Sequence, residues 1–355
     1  MSSEAIDAML ASIPLPVLAI DSSERIMAAN IDALTLIGGQ AVGMNYVTML
    51  RQPALLDAIE LTLQDGTART ARYLSNDGAQ DTTYKVSCRA VPRVGRNGGA
   101  VAVLVFEDIT HVEQAGQMRR DFVANVSHEL RTPLTALMGF IETLRGPARN
   151  DPAASERFLD IMQGEAERMN RLVGDLMSLN RVESDERVRP TTVVSLVDVI
   201  ESTVRTLLPL ADEAGVAIEL ALGDDPARMH GDADQLKQVF TNLIENAIKY
   251  GGSGKRVTLT LTTSAREPAL RSPGARVRVK DYGPGIDSVH LPRLTERFYR
   301  SDDHRSRALG GTGLGLAIVK HIINRHRGRL RVESELGQGA TFTVLLPLLA
   351  QDGLI

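Results

Sequence analysis

Cysteine occurs once in the chain, at Cys88. One thiol cannot close an internal disulfide, and its rarity fits a reducing compartment. Long apolar runs are missing as well. Stretches such as Val101 to Phe106 fall far below the roughly 20 residues that span a bilayer. The start, Met1-Ser-Ser-Glu-Ala-Ile6, has no basic region followed by an apolar core, so it does not read as a signal peptide. These absences predict a cytoplasmic chain with no membrane-spanning segment, membrane-associated only if an anchor ahead of Met1 has been removed. Neither sign of charge dominates. The net charge of -4 gives no reason to expect nucleic acid as a partner. No histidine precedes His111, which argues against an axial haem ligand in the first third of the chain.

What is present is ordinary globular composition, 43% apolar and 24% charged over 355 residues, enough for two or three domains. The central feature is Asn125-Val-Ser-His128-Glu129-Leu-Arg-Thr132-Pro133-Leu-Thr135. Apolar residues at Val123, Val126, Leu130, Pro133, Leu137, Phe140 and Leu144 alternate spacings of three and four, the seam of a helix that packs lengthwise on another. His128 lies off that seam, so its imidazole is expected to face water. Thr132, four residues on, shares its face. Gly146-Pro147 and Pro152 end the helix. A second helix runs from about Ala153 to Glu183, with apolar Leu159, Met162, Ala166, Met169, Val173 and Leu176. Two amphipathic helices joined by a tight turn make an antiparallel hairpin. One hairpin cannot cover both stripes, so pairing with a second copy into a four-helix bundle is expected, the alternative being packing on the chain's own domains.

Before this hairpin, strands are expected at Val17–Asp21, Ile26–Ala29, Ala68–Ser75, Thr82–Arg93 and Ala100–Asp108. Helical patches fall near Asn30–Ile37 and Ala54–Leu63. The turns Asp77-Gly78 and Arg96-Asn97-Gly98-Gly99 mark hairpins. Cys88, beside Val86, is expected in the core. After a polar linker at Arg187–Pro190, helices at 196–214, 234–250 and 316–326 alternate with strands at 217–222, 256–263, 276–280, 329–333 and 340–347. Residues 266–275 are expected to be a loop.

Four short motifs in this last region carry chemistry. In Asn242-Leu-Ile-Glu-Asn246-Ala-Ile-Lys249-Tyr250, the two amides share a helix face. An amide oxygen is a hard ligand suited to Mg²⁺ bound jointly with phosphates, and Lys249 adds a point charge. Alone, the stretch reads first as a solvated helix face. In Asp281-Tyr-Gly283-Pro-Gly285, a carboxylate at a strand end can accept the exocyclic amine of adenine, and glycine admits close backbone approach. The alternative is a plain turn. Glu296-Arg-Phe298-Tyr-Arg300 follows. Last comes Gly310-Gly311-Thr312-Gly313-Leu314-Gly315, whose glycines open a helix and expose backbone donors to phosphate. It matches neither a Rossmann fingerprint nor a Walker loop. The arginine-rich stretch Ser301–Leu309 reads as a lid.

The His128 stretch resembles the phospho-acceptor box of bacterial sensor histidine kinases. The four motifs resemble the N, G1, F and G2 boxes of their Bergerat-fold ATP-binding domain. Residues 5–110 resemble a PAS sensor domain more loosely. Leu50-Arg51-Gln52-Pro53 with Ala58-Ile59-Glu60 is similar to sensor kinases of the phosphate-regulon type.

The resemblance implies a multidomain α+β protein. Residues 1–110 would be a PAS-like sensor, and 111–187 a dimerisation and phosphotransfer hairpin forming a dimeric four-helix bundle. Residues 188–355 would be an α/β-sandwich ATP-binding domain. It further implies that His128 takes the γ-phosphoryl group of ATP, that Glu129 is the general base, and that Thr132 orients a water for dephosphorylation. Asn246 would ligate Mg²⁺. Asn242, Lys249 and Tyr250 would line the nucleotide pocket, Asp281, Gly283 and Gly285 bind adenine, and Gly311, Gly313, Leu314 and Gly315 hold phosphates, with Arg305 and Arg307 steadying them. The implied partners are a response regulator and a second copy of the chain. The signal sensed, and phosphorylation in cis or in trans, stay open. An ATPase of the chaperone or topoisomerase kind and a non-catalytic scaffold are the rival readings.

Overall fold

A computed structural model describes residues 8–76, 81–92, 100–186, 188–223, 226–301 and 311–349. The chain forms two compact units, 1–124 and 125–355.

In the first unit five antiparallel strands lie in the order β2-β1-β5-β4-β3: β1 Val17–Ile20, β2 Ile26–Ala29, β3 Arg69–Asn76, β4 Asp81–Pro92 and β5 Ala100–Asp108. Helices α1 (Ile31–Ile37), α2 (Tyr46–Leu50) and α3 (Pro53–Asp65) lie between β2 and β3. Helix α2 was not legible in the sequence. The expected turns at Asp77-Gly78 and Arg96–Gly99 lie outside the described residues, although the strands flanking them pair. Every residue of β1 is buried, because one face packs on the helices and the other on Leu10 and Ala28. Buried Asn30 explains how the chain turns from β2 into α1. Its Oδ1 accepts the N–H of Val17 and of Ala33, both at 3.0 Å, and its Nδ2 donates to the Leu15 carbonyl at 2.7 Å. A buried amide so satisfied costs little and specifies one geometry.

Cys88 is fully buried among Leu104, Phe106 and Val86, and burial pushes its thiol up to about 11. Only thiolates react readily. The native chain is therefore expected to resist a disulfide exchange reagent at pH 8, with one thiol titrating after unfolding. Prompt native labelling would contradict this burial.

At the exit of β5, Asp108 Oδ1 accepts the Thr110 N–H at 2.8 Å, and Thr110 Oγ1 accepts the Thr83 N–H at 2.9 Å. Hydrogen bonds from Thr110 hold the Asp108 carboxyl below its ordinary value. The start of the next helix is thus bonded to both β4 and β5. That helix, α4, is continuous from Thr110 to Arg145, with Pro133 inside it.

In the second unit α4 pairs with α5, Pro152–Asp185. Asp151 caps α5 by accepting the Ala154 N–H, and Pro152 fits the first turn, where no donor is needed. Phe140 and Phe158 stack with ring centroids 5.4 Å apart. The predicted seam of α4 is half-buried or buried at Val126, Leu130, Pro133, Leu137, Phe140 and Leu144, while predicted Val123 is exposed. On α5 the covered line is Phe158, Met162, Met169, Leu172, Leu176, Leu179 and Val182, while predicted Leu159, Ala166 and Val173 are exposed.

The remaining elements form an α/β layer pair. The sheet order is β11-β12-β10-β9-β7, antiparallel except for β7 with β9. The strands are β7 Ala217–Ala221, β9 Arg256–Glu267, β10 Ser272–Asp281, β11 Arg329–Glu335 and β12 Gly339–Pro347. A two-stranded ribbon joins β6 (Val193–Ser195) to β8 (Arg228–His230). Helices α6 (Leu196–Glu213), α7 (Ala233–Gly251) and α8 (Gly315–Arg325) are amphipathic, burying residues such as Ile200, Leu243 and Ile322. The expected loop 266–275 is corrected. The strands run on to Glu267 and start again at Ser272, leaving four residues to turn. Buried Glu267 is the cause: its carbonyl accepts the N–H of Leu270 and Arg271, and its carboxylate pairs with Arg276 at 3.0 Å. His326 is a structural histidine. The Asp232 N–H donates to its Nε2 at 3.0 Å, so Nδ1 carries the proton and donates to the Ile322 carbonyl at 2.8 Å. Burial lowers its pKa, which keeps the ring neutral.

Candidate functional site

His128 is exposed on α4, as its place off the seam predicts. Glu129 is half-buried and turned to the other helix, where Arg168 Nη2 donates to its Oε2 at 3.1 Å. Thr132 Oγ1 donates to the His128 carbonyl at 3.2 Å, the usual back-bond of a helical threonine, and its lone pairs remain available to accept.

On α7 the buried residues Leu243, Ile244, Ala247 and Ile248 leave Asn242, Glu245, Asn246, Lys249 and Tyr250 as one half-exposed polar stripe. Lys249 donates to Glu245 Oε2 at 2.6 Å. The start of α8 packs beside Asn242: a Cβ on Gly315 would lie 3.0 Å from Asn242 Oδ1. Two of the four motifs are thereby brought together.

Asp281 ends β10 and is 6% exposed. Its Oδ1 accepts the N–H of Gly283 at 3.0 Å and of Ala340 at 3.2 Å. Neither bond uses Oδ2. Burial raises the carboxyl above its ordinary value, and the two N–H bonds oppose the rise. A Cβ on Gly283 would lie 2.6 Å from the Gly251 Cα, so only glycine lets this turn close on the end of α7. Gly285, at φ +73, turns the chain against Glu335.

The glycine-rich stretch opens α8, with Leu314 fully buried and Gly315 its first residue. Gly313 O accepts the Phe298 N–H at 2.8 Å, which joins the third motif to the fourth. Gly310, Arg305 and Arg307 lie outside the described residues.

Sequence reasoning missed a set of acidic residues on α5. Thr312 Oγ1 donates to Asp175 Oδ2 at 2.6 Å and accepts the Leu314 N–H. Burial raises the Asp175 carboxyl, with the Thr312 bond opposing. Glu183 pairs with Arg297, and Glu186 bonds His321 at 3.0 Å and Asn324 at 3.3 Å. Ser178 donates to Gln238 at 2.9 Å. The glycine-rich stretch is therefore docked on the second helix of the histidine hairpin. Asp175 lies seven residues beyond Arg168, roughly 10 Å along the helix. For Glu183 and Glu186 the cue available in the sequence was the density of carboxylates near the end of α5; Asp175 had none.

Among the described residues no group of three His, Cys, Asp or Glu could hold a metal. The Asn246 amide makes no hydrogen bond to another described residue. It fits a metal held jointly with phosphates and water rather than one in a protein cage.

This pairing of an exposed helical histidine with a Gly-rich α/β nucleotide fold defines a class, the two-component histidine kinases. The family described as His Kinase A (phospho-acceptor) domain matches residues 118–185, and that described as histidine kinase-, DNA gyrase B-, and HSP90-like ATPase matches residues 231–350. The phosphate regulon sensor protein PhoR of Pseudomonas aeruginosa is 40% identical over 69% of this chain and 54% of its own length. Sensor histidine kinase WalK of Bacillus subtilis is 37% identical over 75% of this chain and 42% of its own. The chain thus spans about half the length of the curated relatives it matches. The solved histidine kinase ThkA, in complex with response regulator protein TrrA, has a like fold, with a TM-score of 0.52, 19% identity and coverage of 98% of this chain and 99% of that one. The chain belongs to the sensor histidine kinase family. No helix among the described residues is long and apolar enough to cross a membrane.

Proposed function

We propose that the chain autophosphorylates His128 with Mg-ATP and passes the phosphoryl group to an aspartate of a response regulator. A lone pair of one imidazole nitrogen attacks the γ-phosphorus, the bond to the ADP oxygen breaks, and Glu129 holds or takes the proton on the other ring nitrogen. Transfer then breaks the P–N bond and forms a P–O bond on the partner's carboxylate. In the nucleotide site Asp281 accepts the adenine amine and Gly283 and Gly285 shape the wall. Asn242, Lys249 and Tyr250 line the pocket, while Gly311, Gly313, Leu314 and Gly315 offer backbone donors. Asn246 would hold Mg²⁺, which neutralises charge on the transferring phosphates when bound. Thr132, with its hydroxyl lone pairs available, would orient the water that dephosphorylates the regulator.

The observation that carries this reading is the docking of Thr312 on Asp175, with His128 exposed on the same hairpin. Residues 1–110 would be a PAS-like sensor, which the 2-1-5-4-3 sheet order supports. Residues 111–187 would be the phosphotransfer hairpin and 188–355 the ATP-binding domain. Exposed Leu134, Met138, Ile141, Leu159, Val173 and Met177 support a homodimer that covers them as a four-helix bundle. The 40% identity to PhoR supports a phosphate-regulon type of sensor.

Incubation with Mg²⁺ and γ-labelled ATP tests the reading. Acid-labile, base-stable label is expected on the wild type and none on His128→Gln. Free phosphate released equally by both would make the chain an ATPase and overturn the phosphohistidine.

A further inference from the structure

We infer that Arg168 is the positioning residue of Glu129, fixing the base across the hairpin for the chemistry at His128. The inference rests on the kinase reading above. His128 and Glu129 are adjacent on α4, about 100° apart around the helix, so the carboxylate does not fall on the imidazole by helix geometry alone. A glutamate has three rotatable bonds, and few of its rotamers bring an oxygen back to the neighbouring ring. Arg168, 39 residues later on α5, removes that freedom. Its Nη2 donates to Glu129 Oε2 at 3.1 Å, with the two side chains only 16% and 29% exposed. A charge-assisted bond in such a half-buried place is stronger than an exposed pair. It uses Oε2 alone, so Oε1 is not engaged by Arg168.

Arg168 is itself held. Its Nη1 lies 3.9 Å from Glu165 Oε2, a buried oxygen that makes no hydrogen bond of its own. That oxygen needs the guanidinium charge beside it. Glu165 therefore keeps Arg168 in place from its own helix while Arg168 keeps Glu129 in place from the other. The base is tied to the packing of α4 on α5, not only to its own helix.

The test is kcat and KM for ATP in phosphorylation of His128, measured on the full chain by single-turnover labelling. Arg168→Ala is expected to lower kcat roughly tenfold or more while KM stays within about twofold, since a misplaced catalytic group loses rate rather than affinity. Arg168→Lys, which keeps the charge without the planar fork, recovers part of the rate. Arg168→Met keeps the aliphatic stem and repeats the comparison without a packing loss. On a Glu129→Gln background, Arg168→Ala is expected to cost no more than about twofold, because a positioning residue has nothing left to position. A wild-type rate in Arg168→Ala and Arg168→Met would overturn the inference. So would equal losses on both backgrounds, the mark of a merely structural residue. A wild type that puts no label on His128 would instead bring down the kinase reading and this inference with it.

Discussion

Asp281→Ala is expected to abolish ATP binding and to lower the unfolding free energy by roughly 2–6 kcal/mol, because two buried donors lose their acceptor at about 1–3 kcal/mol each. Oδ1 accepts the N–H of Gly283 and of Ala340, so one oxygen ties the turn after β10 to the start of β12. Asp281→Asn separates the two effects. Asparagine keeps an oxygen for both N–H groups and is expected to retain most of the stability. It places an amide NH₂ where the adenine amine must donate, so ATP affinity should still fall by about 100-fold or more, a polar site rejecting a mismatched partner far more strongly than an apolar one. Calorimetric titration with ATP and urea unfolding of the same samples read both outcomes. An Asn variant that binds ATP as the wild type does would remove Asp281 from the nucleotide site.

The raised carboxyl adds a pH dependence with two opposite signs. Burial makes Asp281 harder to ionise in the folded chain than in the unfolded one. The protonation-linked part of its contribution to folding is therefore fully present at low pH and is lost as pH rises through the folded-state value. Nucleotide affinity should move the other way, since the anion is the stronger acceptor, and should begin to fall on acidification above the ordinary carboxylate range. Asp281→Asn should lack both dependences, which distinguishes them from titration of the phosphates of ATP.

How much of this could be read before the fold is best seen at particular residues. The exposure of His128 followed from the seam of α4, because a three-four spacing of apolar residues fixes which face is covered. Asn242 and Asn246 were correctly placed on one stripe for the same reason. The turn at Gly283 was legible because two glycines flanking a proline after an apolar strand leave few other structures. What escaped were contacts between distant parts of the chain. Arg168 is 39 residues from Glu129 and Asp175 is 137 from Thr312, and nothing in the local pattern of α5 distinguishes these side chains from its other charges. The overlong loop at 266–275 failed similarly. Pro, Arg and Gly suggested a loop, whereas the pairing of buried Glu267 with Arg276 extends the strands past them.

The second large effect is expected at Gly313. Gly313→Val should reduce ATP affinity by more than about 100-fold and destabilise the chain by roughly 2–4 kcal/mol, combining strain and collision. Gly313 sits at φ +72, where a β-branched side chain is strained by about 1–2 kcal/mol or more. Its Cβ would also lie 2.8 Å from the Phe298 Cα and 2.9 Å from the Phe298 carbonyl carbon. Those are backbone atoms, and they cannot rotate away. The segment at 298 must move, and with it the bond from Phe298 N–H to Gly313 O. Because Leu314 is fully buried and α8 begins at Gly315, the displacement passes directly into the turn proposed to hold the phosphates. Gly337→Ala is the control. Gly337 also has a positive φ, of +82, but open space surrounds its missing Cβ. It is expected to cost about 1 kcal/mol of strain alone and to leave ATP affinity unchanged. If Gly313→Val bound ATP no worse than Gly337→Ala, the close approach of Phe298 to the glycine-rich turn would play no part in holding the nucleotide, and the loss would be conformational strain only.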